Sequence, residues 1–328
     1  MAYQPAGNLT SSTGYSHIHQ VLYSKRALDR LQKIFVFRDA CMQESLPLHS
    51  GRTIQFYRYI NFAANTTEST EGTVGTSLAV NSRVVGASVS QYDAFITLSD
   101  FLVDIAPDPA VQNAAELLGY QAALSVDTIT RNVIDSESAG ANLAPLATFM
   151  RNADLRNATT QLQAIDVQPF DDGWFFAVMH PFNAFDLLND PAVTGLADTF
   201  KYTAPRDTPL LKASDRGNFI KLSSCNVVIS TNVKTLAGPT RYRTYVFGRQ
   251  GVACIDLEGR GPSNVHDPRK QRFTINTIPG APSIADPSGV IGGAVSYNFK
   301  FTAVVLDGPT GIGGVYRYRT IDAESTVG

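Results

Sequence analysis

The chain has 328 residues, enough for one large domain or two to three smaller ones, and 44 % of them are apolar, so a sizeable core can form. Charged residues make up only 17 %, below the roughly 25 % of ordinary soluble domains, and the formal net charge is −2. That balance excludes a protein held to nucleic acid by a basic face. A lightly charged surface rich in Thr, Ser and Asn suits a chain that buries much surface against its own copies. Cys41, Cys225 and Cys254 are odd in number and far apart, which fits a reducing compartment and neither a disulfide framework nor a zinc site. The first residues, MAYQPAGNLTSSTGY, lack the basic and apolar regions of a signal peptide. No apolar run approaches the ~20 residues of a membrane span.

Residues 1 to about 22 are polar and aperiodic and read as an extended arm. Ser24 can cap a short helix with Ala27, Leu28, Leu31, Ile34 and Phe35 on one face. Pro47 and Gly51 then break the chain, and the β-branched and aromatic run from Thr53 to Ile60 predicts a strand. The return strand or strands span Ser77 to Leu98, with Gly86 expected as a bulge or bend. Between them the tip, Ala63 to Ser82, is rich in Thr and Ser, and no aromatic residue occurs between Phe62 and Tyr92. A projecting two-stranded ribbon of this kind is marginal on its own in water. It makes physical sense lying on another copy of the chain.

Asp108-Pro109 is a helix-start signal, a capping residue followed by proline at the first helical position. Val111, Ala114, Ala115, Leu118, Ala122, Val126, Ile129 and Val133 follow at helical spacing, a narrow alanine-rich stripe that can lie close on a sheet. A helix over 109–134 would be roughly 39 Å long. Gln112, Asn113, Glu116, Asp127, Thr128 and Asn132 are expected on its other face, with Arg131 its only base. Thr148 to Ile165 predicts a second helix, and Trp174 to Met179 a strand buried on both faces. His180-Pro181 stops that strand, and Phe182 to Leu188 predicts a short helix. Val227 to Ser230 and Arg241 to Phe247 predict strands, and Gly259 to Pro287 a loop-rich stretch. Val295 to Leu306 is a strong strand, with Val315 to Thr320 expected to pair with it across a glycine-rich turn. Neither an internal repeat nor an interdomain linker is visible, which favours one discontinuous α+β fold.

Residues that could carry chemistry have simpler readings. Asp171-Asp172 could hold a hard cation, but a solvated loop explains the pair. His17 and His19 share a strand face, yet no acid or thiol lies near them in sequence to complete a metal site. His180 reads as a turn histidine before proline. The glycine-rich run from Gly308 to Gly314 lacks the Lys-Ser/Thr ending of a phosphate loop. Arg260, His266, Arg269, Lys270 and Arg272 could hold an anion, but pairing with acids across a subunit contact is the reading preferred. The nucleophile elbow, zinc-protease helix and kinase motifs do not occur in the sequence, which argues for an assembly protein over an enzyme, with no catalytic, cofactor or metal site expected.

The ordered motifs resemble a family. Arg52-Thr53-Ile54 leads into the long loop, Thr70-Glu71-Gly72 marks its tip, and Gln91-Tyr92 with Thr97-Leu98-Ser99-Asp100 marks the return. Glu116-Leu117-Leu118-Gly119, Asp127-Thr128 and Thr130-Arg131 follow in the long helix. Ala177-Val178-Met179-His180-Pro181, Leu187-Leu188-Asn189-Asp190-Pro191 and Tyr245-Val246-Phe247-Gly248 continue the series. In order and spacing they resemble the major capsid proteins of tailed bacteriophages with the HK97-type fold, most closely the coliphage N4-like family.

The resemblance implies an N-arm over 1–46, an extended loop over 52–98 lying on a neighbouring subunit, and a peripheral domain over 99–168 and 291–328 with the spine helix 109–134. It implies an axial domain over 169–290 meeting its copies around five- and six-fold positions. Pentamers and hexamers would form an icosahedral shell around double-stranded DNA, assembled in the host bacterial cytoplasm, with a portal protein and separate scaffolding or decoration proteins as partners. Arg52, Arg58, Glu68, Glu71 and Arg83 are the charged contacts expected of the loop. Some shells of this fold are locked by a lysine–asparagine bond, but no lysine occurs here between Lys33 and Lys201, so a noncovalent shell is expected. The alternatives are an encapsulin-like compartment of the same fold holding a cargo enzyme, and a β-rich surface or tail protein, against which the single long helix argues.

Overall fold

The computed structural model describes residues 36–47, 49–69, 71–75, 77–105, 110–190, 220–237, 240–257, 274–279, 287–308 and 315–326. Residues 1–35 of the expected N-arm with its helix, His17 and His19, the Asp108-Pro109 start signal, the basic run at 260–272 and the glycine-rich turn at 309–314 lie outside them.

Strands β1 (Met42–Leu46), β2 (Thr53–Tyr59), β3 (Ser82–Ser88) and β4 (Ser90–Ser99) come first, then helices α1 (Asp100–Ile105) and α2 (Ala110–Ser136). Next are β5 (Asn142–Phe149), α3 (Asn152–Ala164), β6 (Phe175–Met179), α4 (Pro181–Leu188), β7 (Ile220–Leu222), β8 (Cys225–Ile229) and the short β9 (Thr235–Leu236). The chain continues through β10 (Arg241–Phe247), β11 (Val252–Leu257), β12 (Thr274–Pro279), β13 (Ile291–Val305) and β14 (Tyr318–Glu324).

One sheet is organised around β13. It pairs antiparallel with β4, β11 and β12, and β1 joins parallel to β11. Val295, Tyr297, Phe299, Phe301, Ala303 and Val305 alternate along β13, all buried, so one face of the strand is committed to a core. Helix α2 covers that face: Ala114, Leu118, Ala122 and Ile134 are buried in the same cluster. Three small or slender residues a turn apart let the helix lie close, and its 27 residues span about 40 Å. The expected stripe is the packed face, but Asp127 is not on the solvent side. It is 1 % exposed. Its carboxylate is saturated by the N–H groups of Val36 and Phe37 at 3.1 and 2.8 Å and by Asn232 Nδ2 at 2.7 Å.

The second sheet runs β5-β14-β10-β6-β8-β7, with β9 also on β10. The expected pairing of 315–320 with 295–306 is therefore corrected: β14 lies between β10 and β5, seven residues in register with β10. The reason is side-chain commitment. Tyr318, Thr320 and Ile321 are buried beside Tyr245 and Val246, and Asp322 meets Arg243 across the strand pair.

Three other expectations change. The loop-rich stretch contains β12, paired with β13 from Thr274↔Asn298 to Pro279↔Gly293. The second helix starts later, at Asn152, because 142–149 pair with β14 and Asp154 accepts the Arg151 N–H at 2.9 Å to start the helix. Gly86 is neither bulge nor bend, since β2 and β3 stay in register from Thr53↔Ser88 to Tyr59↔Ser82. The break instead falls at the buried Val89, where the chain leaves the ribbon for β4. The sheets also cut across the expected spans. β4 of the loop span and β11 and β12 of the axial span join β13, while β14 joins β6, β8 and β10.

Candidate assembly interface

Among the described residues the β2–β3 ribbon pairs with no other strand. At its root Arg52 Nε donates to the carbonyl of Val89 at 2.8 Å and Thr53 bonds Ser88 across the strands at 3.0 Å. Ile54 and Phe56 turn toward the body, against a small cluster of Leu46, Ala87, Val89 and Ile255. Arg58, next on that side, donates from Nη1 to both carboxylate oxygens of Asp307 at 2.5–2.6 Å. Arg317 Nε reaches the same carboxylate at 2.8 Å. Burial pushes the Asp307 carboxyl up, while the two arginines pull it back toward ionisation. A cavity of about 370 Å³ remains under the stem, lined in part by Tyr59, Ile60, Val167 and Arg317. The stem is thus held there by charge more than by packing.

Beyond this point no described residue of the ribbon is buried until Ala87. Every described residue from 59 to 84 is exposed. Tyr59, Phe62, Leu78 and Val80 are each more than half exposed, and Val74 is 96 % exposed. Apolar side chains gathered on a projecting segment mark a contact surface.

Of the five charged residues expected to meet a neighbour, two are engaged within the chain, Arg52 with Val89 and Arg58 with Asp307. Glu68, Glu71 and Arg83 are exposed on the ribbon. Arg83 sits directly across from Arg58. Asp307 had no sequence signal; its pairing with Arg58, 249 positions away, is a property of the fold.

A second exposed apolar surface went unforeseen. In α1 all six residues are exposed, and Phe101, Leu102, Val103 and Ile105 are apolar. The helix is fixed to the start of β13: Asp100 N–H donates to Val290 O at 2.9 Å. A Cβ on Gly292 would stand 2.5 Å from the Asp100 Cα, so only glycine permits this approach.

The body behind these surfaces is tied by a buried polar junction. Arg243 makes a two-pronged contact to Asp322 at 2.7 and 2.8 Å and reaches Asp135, near the end of α2, at 3.2 Å. Tyr245 Oη donates to Asp135 at 2.8 Å. Burial works against the charge on Arg243, but Asp322 and Asp135 outweigh it and raise its pKa above the ordinary value. This junction joins the long helix to the second sheet. Phe37 fills the same boundary, edge-on to Tyr245 at 5.0 Å.

The residues weighed for catalysis have structural places. His180 Nδ1 accepts the Phe182 N–H at 3.2 Å, capping α4, and its ring stacks on Tyr242 at 4.1 Å. Burial lowers its pKa. Asp172 accepts the Trp174 N–H and Asp171 pairs with Arg249 on the surface. Among the described residues no cluster of three or more His, Cys, Asp or Glu could hold a metal. No described helix is long and apolar enough to cross a membrane.

No protein-family profile matches the chain, and no curated protein matches it in sequence. Solved structures do match in shape. A chain from the capsid of Ralstonia phage GP4 superposes with a TM-score of 0.68 at 11 % identity, over 98 % of this chain and 99 % of that one. A chain of the cyanophage Pam1 capsid asymmetric unit gives 0.67 at 12 % identity, over 94 % and 97 %. A chain from the capsid structure of cyanophage P-SCSP1u gives 0.63 at 13 % identity, over 99 % and 100 %. The chain has the α+β fold of these phage capsid chains, end to end.

Proposed function

We propose that this chain is the major capsid protein of a tailed bacteriophage, with the HK97-type fold, and within it a member of the N4-like group. The observation that carries the reading is the coincidence of an end-to-end fold match to phage capsid chains with a ribbon whose described residues from 59 to 84 are all exposed. Copies form pentamers and hexamers that close into an icosahedral shell around double-stranded DNA. The portal protein takes one vertex, and scaffolding and decoration come from separate chains. Assembly takes place in the host cytoplasm, and the mature product is the virion capsid.

In this reading α2 and the β13 sheet form the peripheral domain and the second sheet the core of the axial domain. The long helix has Arg131 as its only base, which lets packaged DNA slide, since strong phosphate contacts would hold it in place. The ribbon of each subunit lies on the next, and Glu68, Glu71 and Arg83 are its charged contacts. Each contact is modest, but a closed shell repeats it many times.

Electron microscopy and sedimentation of the full chain expressed alone, and again with its candidate scaffolding protein, test the reading. Closed shells, or rings of five and six, are expected. A monomer under both conditions would overturn it, and shells filled with a co-purified enzyme would identify a cargo compartment instead.

A further inference from the structure

We propose that helix α1 of one copy is the seat for the overhanging ribbon of the next, with Asp104 of the first facing Arg83 of the second. This rests on the reading that the chain assembles with itself, and adds the surface that receives the ribbon.

Helix α1 has the two properties a seat needs. It is rigidly placed, because Asp100 is bonded to Val290 and Gly292 leaves no space between helix and strand. It is also bare, with Phe101 73 % and Ile105 59 % exposed. Its only charges are acidic, Asp100 and Asp104. Two such helices facing each other would bring like charges together as their apolar residues met, which disfavours a symmetric α1–α1 contact. The partner should instead be apolar and basic.

The underside of the ribbon has that character. Side chains alternate along β2, so Ile54, Phe56 and Arg58 share the side turned to the body. Arg83 lies on that side because it is paired with Arg58 across the ribbon. Arg83, level with Arg58, and Ile60, beside the cavity under the stem, are both exposed on that side. Neither Arg83 nor Asp104 forms an ion pair with a described residue. Arg58 is already held by Asp307, which leaves Arg83 as the base the ribbon can offer. A ribbon on α1 of the next copy is a head-to-tail contact, the kind that generates rings when the rotation closes.

Charge reversal tests the pairing. Arg83→Glu and Asp104→Arg, made singly in the full chain, should each raise the concentration needed for assembly several-fold while far-UV circular dichroism stays unchanged. Both reversals together should bring it back toward that of the unaltered chain. Mixed Arg83→Cys and Asp104→Cys chains, treated with a short bis-maleimide that spans an Arg–Asp separation a disulfide cannot, should give a cross-linked dimer, since the native cysteines Cys41, Cys225 and Cys254 are all buried. Each thiol S–H adds across one maleimide C=C, so no oxidant is needed. Normal assembly of both single reversals, or no cross-linked dimer from chains that do assemble, would overturn the pairing and leave the shell reading intact. Failure of the unaltered chain to assemble would overturn the shell reading, and this pairing with it.

Discussion

Asp127 shows how much one buried carboxylate can organise. It accepts from the backbone of Val36 and Phe37 and from Asn232, so it joins the long helix to the chain entering from the N-terminal side and to the loop after β8. Replacing it by alanine strands three buried donors. Asp127→Ala should cost about 2–4 kcal/mol in urea denaturation. Asn132→Ala, on the exposed side of the same helix, should change stability by no more than about 0.5 kcal/mol. His180 makes a pH prediction. Burial lowers its folded pKa, so the unfolded chain takes up the proton first, and stability contributed by the neutral ring is lost as pH falls below the ordinary histidine value. Protonation also removes the acceptor that caps α4. The melting temperature should fall between pH 7 and 5 by a larger margin in the native chain than in His180→Asn, which caps without titrating.

Among the elements, the junction of α2 with the second sheet and the stem of the ribbon are held in different ways. The junction is buried and two-pronged. Arg243→Met should cost about 3–5 kcal/mol, because the buried Asp322 loses the cation it faces, while Asp135 keeps Arg131 and Lys234 nearby. Adding Asp322→Leu should return part of that loss, and additive losses in denaturant unfolding would count against the coupling. The stem is held locally, by Arg58 on Asp307 over a cavity. Arg58→Ala should leave the global unfolding midpoint nearly unchanged, since Arg317 still neutralises Asp307. It should speed proteolytic cleavage within 59–84, a readout of local opening.

For the whole molecule, the ribbon and α1 are apolar surfaces left exposed, and the proposed shell gives them a place to be buried. The shell should be noncovalent. With no lysine between Lys33 and Lys201, the ribbon has no amine to form an isopeptide bond. Particles boiled in denaturant with reductant should run as a single band at 35.5 kDa, and a ladder of multimers would refute this.

Local physics made many elements legible in the residues alone. A β-branched and aromatic run marked β2, helical spacing with an alanine stripe marked α2, and a histidine–proline stop marked the end of β6. The bare tip of the ribbon could also be read, because a stretch without aromatic residues cannot build a core. What the tertiary structure decided is which strands meet and which polar groups go inside. Strand β14 is near β13 in sequence but pairs with β10 and β5, because strand partners are chosen by burial of whole faces and not by the nearest turn. Asp127 sits on a polar-looking stretch of helix, and only the arrival of residues 36–37 makes its burial affordable. Asp307 and α1 carried no periodic signal, since their roles arise from surfaces that distant segments create between them.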